Sequence, residues 1–356
     1  MWPRTDLTEL LGLEHPIVQA PMAGSTTPAL AAAVSNAGGL GSLGCGSMSL
    51  DDLGDTVAAL RAATNRPFNL NFFAHSAPAF DARIDAATRD RLRPFYSELG
   101  LAEPPPRDRA PTGPFDDDAL SAVLAIRPAI VSFHFGLPAP EAVRALRDAG
   151  CRVLSSATSV AEARRLDAAG VDAIIAQGWE AGGHRGAFEA SADDVGVGTM
   201  ALVPQVVDAV GVPVIAAGGI ADGRGIAAAF ALGASGVQMG TAFLSCPEAS
   251  VSDMHRAALR QARDDDTRLS LAFSGRPARA KNNRYIEAMS RTRDRLPDFP
   301  LMYELNEPLR QASVAAGTED FQFLLYGQAA ALNRELPAGE LVRALARDAQ
   351  SLLAAR

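Results

Sequence analysis

Eight short apolar runs, most of them followed by a helix-favouring stretch, constrain this 356-residue chain more than any other feature. The runs cover residues 16–20, 40–44, 68–73, 129–135, 152–156, 173–177, 213–217 and 236–239. Alanine-rich segments such as 28–37, 141–149, 160–169 and 225–232 lie between them, and Gly38, Gly150, Gly170 and Gly233 follow as helix stop signals. Alternation of this kind predicts a parallel sheet, and eight units are what a closed α/β barrel of the (β/α)8 (TIM) type needs. A hydrophobic content of 48% is enough to fill the core of such a barrel.

Two stretches interrupt the rhythm. Residues 77–128, with Pro104-Pro105-Pro106 and Asp116-Asp117-Asp118, are expected to form a surface insertion after strand three. After strand eight, residues 252–263 carry a helical pattern, and residues 268–306 mix Gly, Pro, Arg and aromatics without a strand repeat. That part is expected to cap the barrel mouth. Residues 336–355 have apolar positions at helical spacing and are expected to pack back on the barrel. The resulting division is a barrel over 1–250, a capping or substrate segment over 251–320 and a C-terminal helical segment over 321–356.

Charge and cysteine usage narrow the function. With 33 Lys plus Arg against 41 Asp plus Glu the formal net charge is −8, and no basic cluster interleaved with aromatics appears, so nucleic acid is not an expected partner. Cys45, Cys151 and Cys246 lie far apart and form no Cys-x-x-Cys pair, so neither a metal site nor a disulfide framework is expected. No apolar run of about 18 residues and no leader-like start is present, which gives a cytoplasmic expectation without a membrane partner.

In a barrel the loops after the strands build the active site. Strand one runs into Gln19-Ala20-Pro21-Met22-Ala23-Gly24, a turn that allows backbone to approach a flat ligand. On strand three the period of two puts Asn69 and Asn71 on one face; they are either satisfied core amides or, for Asn71, a contact to a heterocycle edge. Strand six ends in Gln177-Gly178-Trp179-Glu180-Ala181-Gly182-Gly183-His184-Arg185-Gly186, four glycines around one histidine, the side chain most easily poised as donor, acid or base. His134 ends strand four and is a possible second catalytic group, whereas His15, His75 and His255 read as structural. Strands seven and eight lead into Gly218-Gly219 and Gln238-Met239-Gly240-Thr241, where barrels of this type commonly bind phosphate. No Gly-x-Gly-x-x-Gly turn opens a helix after a strand, so a Rossmann NAD domain is not supported.

Taken in order, Gln19–Gly24, Asn71-Phe72-Phe73-Ala74-His75, Glu180–Gly186, Ala217-Gly218-Gly219-Ile220-Ala221-Asp222-Gly223, Gly236–Leu244 and Phe273-Ser274-Gly275-Arg276-Pro277-Ala278-Arg279 resemble the class I nitronate monooxygenases, formerly called 2-nitropropane dioxygenases. The resemblance covers nearly the whole chain. It implies FMN as cofactor, with Ala20, Met22, Asn71, Gln177, Gly182 and Gly183 around the flavin. Gly218, Gly219, Gln238, Met239, Gly240 and Thr241 would hold the phosphate end. It makes His184 the active-site histidine and leaves Lys281, Tyr285 and Tyr303 as candidate mouth residues. The implied reaction takes an alkyl nitronate, such as propionate 3-nitronate, and O2 to a carbonyl compound and nitrite. The alternative is an FMN-dependent NAD(P)H reductase of the enoyl-reductase or quinone-reductase type on the same scaffold. Nucleotide-oxidising barrels use a loop cysteine as nucleophile; here Cys45 and Cys246 read as packed thiols.

Overall fold

In the computed structural model, which describes residues 2–104, 115–189, 195–291 and 295–355, each of the eight apolar runs contains a strand. They are β1 (Ile17–Gln19), β2 (Gly41–Gly44), β3 (Phe68–Phe73), β4 (Ile130–His134), β5 (Arg152–Ala157), β6 (Ala173–Gln177), β7 (Val214–Ala217) and β8 (Gly236–Met239). All neighbours pair in parallel, from β2 through β3, β4, β5, β6, β7 and β8 to β1. A Val18–Leu40 bridge, with Gln19 N donating to Leu40 O at 2.9 Å, joins β1 to β2 and closes the barrel.

Alternation along each strand separates two cores. Leu43, Leu70, Phe72, Val131, Phe133, Val153, Ile174, Val214 and Val237 pack under the helices. The opposite row, including Val18, Leu40, Ile130, Leu154, Ile175 and Ile215, meets Leu7 and Leu11 of the N-terminal helix Asp6–Leu11. Toward the strand C-termini that inner row turns polar: Ile130 is followed by Ser132 and His134 on β4, and Ile175 by Gln177 on β6. The chemistry therefore collects at the loop end.

The crossover helices start where the sequence offers caps, with the side chains of Thr27, Ser49, Asp116, Ser159 and Asp222 accepting from first-turn N–H groups. The expected stops Gly38, Gly150, Gly170 and Gly233 have φ of 88°, 90°, 80° and 93°, a region closed to most side chains. Only the short helix Thr241–Leu244 follows β8 directly. The eighth place in the helical layer, between Gly223–Ala231 and Pro28–Asn36, belongs to Ala338–Ala354.

Two stretches differ from their sequence appearance. Within 77–128, the helix Asp117–Ile126 lies between Leu50–Ala63 and Pro140–Asp148 and so belongs to the barrel's own helical layer. The preceding helix Ala82–Glu98 sends Leu92 and Tyr96 into a second core with Phe273, Tyr285, Met302, Leu305 and Phe321 of the cap, and Tyr96 Oη donates to Leu305 O at 2.6 Å. Pro105 and Pro106 lie outside the described residues. Within 268–306, where no strand repeat is visible, the strand Ala278–Lys281 pairs antiparallel with Thr267–Ser270 and with the two-residue strand Gly183–His184. This small sheet ties the cap to the loop after β6. Among the described residues no helix is long and apolar enough to cross a membrane.

Because Leu92 is fully buried between insertion and cap, Leu92→Ala is expected to destabilise the protein by about 2–5 kcal/mol. Urea denaturation measures the loss; a change under about 0.5 kcal/mol, the size of an ordinary surface substitution, would mean the two segments do not share a core.

Candidate active site

The small sheet fixes His184, with Ala278 opposite it and Arg279 opposite Gly183. Four aromatic rings wall the imidazole at centroid distances of 5.5 Å (Phe299), 5.8 Å (Phe135), 6.0 Å (Phe323) and 6.3 Å (Tyr303). Its Nε2 lies 3.0 Å from Ser274 Oγ and 3.4 Å from Tyr303 Oη. Phe135 has a φ of 73°, rare for an aromatic residue, so this end of β4 carries backbone strain.

Below the ring, the main chain of His184 is clamped. Its carbonyl accepts from Gln177 Nε2 at 3.0 Å and from His134 Nε2 at 3.1 Å, while Gln177 Oε1 accepts from Gly186 N at 2.7 Å. A carbonyl can only accept, so the His134 proton is on Nε2, and Nδ1 accepts from Ser156 Oγ at 2.8 Å. Both ring nitrogens of His134 are thus engaged within the protein. Three buried guanidiniums hold the rest of the loop: Arg185 donates to Gln177 O, Arg279 to Trp179 O, and Arg276 to Ala187 O and Phe188 O. Arg276 also lies 3.9 Å over the Phe135 ring.

The polar inner layer brings Asn69 and Asn71 together, both donating to Ser132 Oγ at 2.8 Å and 2.9 Å. Asn71 Nδ2 also reaches Ser132 O at 3.2 Å, which fixes the amide orientation and turns Oδ1 away from that carbonyl. Asn69 Oδ1, level with Ile130 in the deeper inner layer, and Gln238 Oε1, near the end of β8, are buried with no partner among the described residues. Gln238 thus leaves an acceptor free toward the loop end of the barrel.

Glycines shape the remaining side. A Cβ on Gly182 would lie 2.4 Å from Gly327 N, so the loop packs directly on the chain at Tyr326-Gly327-Gln328, where Gln328 N donates to Glu180 O at 3.0 Å. Gly218 and Gly219 have φ of 101° and 71°. A Cβ on Gly240 would come within 3.3 Å of Ala20 Cβ and 3.5 Å of Met22 Sδ, so the ends of β1 and β8 meet there. Thr241 Oγ1 accepts from Gly327 N at 3.0 Å. The Met239 side chain points into the outer core and its carbonyl is taken by Ala20 N.

Of the three candidate mouth residues, only Tyr303 stands beside His184. Tyr285 is fully buried in the cap, its hydroxyl 2.5 Å from Asn306 Oδ1, and Lys281 pairs with Glu319. Ser274 and Arg276 lie in a motif quoted above, but nothing in the sequence shows that they touch the histidine loop. Phe299 and Phe323 carry no motif at all.

Burial, then the neighbouring His134 and Arg276, lowers the His184 pKa to about 3, although the residue keeps some accessible surface. Burial likewise lowers His134 to about 4, and Arg276 adds to the effect. Both imidazoles are neutral near pH 7. The buried thiols of Cys45 and Cys246 are pushed up to about 12 by burial, which makes them poor nucleophiles.

Known proteins share this architecture. The family model described as nitronate monooxygenase matches residues 4–348. A nitronate monooxygenase of Pseudomonas aeruginosa is 48% identical over 96% of this chain and 98% of its own length. Among solved structures, nitroalkane oxidase from Streptomyces ansochromogenes is 40% identical with a TM-score of 0.90, covering 98% of this chain and 99% of that one. FabK from Thermotoga maritima is 32% identical with a TM-score of 0.76, covering 100% and 98%.

His75, read as structural in the sequence, packs edge-on to Phe299 at 4.8 Å, and both its ring nitrogens are buried without a partner among the described residues. Burial, with Arg276 second, lowers its pKa to about 4. The unfolded chain takes up a proton near pH 6.5 that the native state refuses, so this residue's contribution to stability falls as pH drops from about 6.5 toward 4, by at most about 1.4 kcal/mol per pH unit. His75→Phe is expected to remove that slope. Urea midpoints at pH 7 and pH 5 should show the variant gaining on the parent at the lower pH; parallel pH dependences would mean that His75 is solvated.

Proposed function

The chain belongs to the nitronate monooxygenase family and is an oxidoreductase, and on that premise we propose that it holds FMN at the barrel mouth and oxidises alkyl nitronates with O2. Propionate 3-nitronate is a substrate of the proposed kind, and the products are a carbonyl compound and nitrite. The observation that carries this reading is a neutral histidine in an aromatic wall, on a glycine-rich loop held at the C-terminal end of β6. The unpaired, buried thiols suit a reducing cytoplasm.

The residues fit the cofactor in kind. The backbone N–H groups of Gly218, Gly219, Gly240 and Thr241 have no partner among the described residues and would suit a phosphate, while Ala20 and Gly183, which has open space where a Cβ would stand, would leave room for a flat ring beside Met22 and Gly182. Asn71 Oδ1 and Gln238 Oε1 are acceptors suited to ring N–H groups. Gln177 acts on the loop instead, since both ends of its amide are engaged there. FMN, when bound, would accept electrons from the nitronate carbon and deliver them to O2.

A nitronate is already a carbanion equivalent and needs no strong base. The chain's task is to seat an anion in a dry pocket. Burial pushes the Tyr303 pKa up, so its hydroxyl keeps its proton and can donate to a nitronate oxygen. The Arg276 guanidinium supplies a nearby positive charge, and Phe135, Phe299 and Phe323 exclude water. His134 is committed to the His184 carbonyl, so its part is to hold the loop. The capping segment, 251–320, contributes Ser274, Phe299 and Tyr303 to the substrate side.

Purified protein should be yellow and release FMN, not FAD, on denaturation, as read by chromatography of the freed flavin. A colourless protein that cannot be reconstituted with FMN would end this reading. Gly219→Val should weaken flavin retention, because a side chain there meets Glu180 at 3.3 Å and fills the corner; full stoichiometry in that variant would move the phosphate site elsewhere.

Without oxygen, an alkyl nitronate should bleach the bound flavin quickly and NADH or NADPH slowly or not at all. The reverse pattern would assign the chain to the reductases. His184→Ala should lower nitronate turnover by roughly 10²-fold or more with flavin content little changed. Unaltered turnover would remove His184 from the chemistry.

A further inference from the structure

We propose that Ser274 is a positioning residue that locks His184 in the tautomer protonated on Nε2, leaving Nδ1 as the lone pair the imidazole offers to the substrate. One hydroxyl has a single proton to give. Ser274 is fully buried, and its Oγ has three neighbours: Arg276 O at 3.0 Å, Arg276 N at 3.3 Å and His184 Nε2 at 3.0 Å. A carbonyl only accepts, so it takes the single hydroxyl proton; a backbone N–H only donates, so it occupies one lone pair. What Ser274 has left is an acceptor. His184 Nε2 must bring the hydrogen.

The backbone around Ser274 makes this arrangement hard to relax. Gly275 has a φ of 81°, and a Cβ on it would fall 2.1 Å from Pro297 O. Asn306 Nδ2, itself buried, donates to Ala272 O at 2.9 Å and to Phe273 O at 3.0 Å and pins the approach to the turn. Tyr303 Oη, 3.4 Å from the same Nε2, then shares a nitrogen that is already a donor, so its own proton stays available to a ligand. Nδ1 of His184 has no hydrogen-bond partner among the described residues, in contrast to His134, whose two nitrogens are both engaged.

The consequence is a division of labour between the two side chains facing the substrate: Tyr303 donates and His184 accepts. Exchange to the other tautomer would turn that acceptor into a donor without moving a heavy atom. The inference rests on His184 being the histidine that meets substrate in the function proposed above.

Long-range ¹H–¹⁵N spectra of the flavin-loaded protein with ¹⁵N-labelled histidine read the tautomer directly, and loss of one signal set in His184→Gln assigns it. At pH 7 His184 should show a protonated Nε2 and a bare Nδ1; the opposite pattern in the parent protein would overturn the proposal whether or not any variant folds. Ser274→Ala should give a mixture of tautomers and lower kcat/KM with nitronate about tenfold, the effect of one lost hydrogen bond, at unchanged flavin stoichiometry. The His134 signals should stay in place and report that the loop is intact. A Ser274→Ala protein with the parent tautomer and full kcat/KM would also overturn it. Nitronate inert toward the parent protein would instead defeat the functional reading and leave the tautomer result standing.

Discussion

A loop with four glycines in the ten residues from Gln177 to Gly186 does not hold its shape by itself, and here buried guanidiniums hold it. Glycine loses more backbone freedom on ordering than any other residue, and a buried carbonyl without a donor is costly. Between Gln177 and Phe188 those donors arrive from Arg185, Arg276 and Arg279, joined by the Gln177 amide and His134 on the carbonyl of His184. The loop can then keep its glycines, which let it lie flat against Tyr326–Gln328 on one side and leave room for a ligand on the other. Two of these arginines, Arg276 and Arg279, come from the segment after β8, which therefore sets the shape of the histidine loop.

The same scaffold sets the charge of the site. Burying a guanidinium is expensive, and the cost here is offset by carbonyls and by the faces of Phe135 and Trp179. Burial brings Arg276 to about 10, still charged near neutral pH. Burial keeps His75, His134 and His184 neutral, and that standing charge adds to the effect. The site thus carries a standing positive charge on a residue that does not titrate near neutral pH, while His184 remains uncharged.

The barrel was legible because its signals are local: a period of two in each strand, a cap residue, a glycine stop. Gly218, Gly219 and Gly240 were legible for the same reason, since a strand end followed by glycine is visible within a few residues. The small antiparallel sheet was not, because its strands of two and four residues pair across about ninety positions of sequence and too few alternations exist to count. The helix Ala82–Glu98 reads as a charged surface element, yet one face of it, Leu92 and Tyr96, is core. Around His184 the motif showed the histidine but not its walls, since Phe135, Phe299, Tyr303 and Phe323 converge from separate segments. Tyr285 and Lys281 look alike in sequence as polar residues of the cap, and only packing distinguishes a buried tyrosine and a paired lysine from the tyrosine at the mouth.

The place of Ala338–Ala354 in the helical ring bears on how the chain is made. All eight strands have been translated by Met239, but the helix that fills the gap between the first and seventh crossover helices is encoded about a hundred residues later. Until it emerges, the apolar flank of Pro28–Asn36 and Gly223–Ala231 that it covers has no partner from its own chain. The cap is therefore an excursion inside the barrel's own sequence, and the ribosome must finish it before the ring is complete. A nascent barrel with an open side and a cap already folding above it is the state in which this protein is most exposed to non-native association.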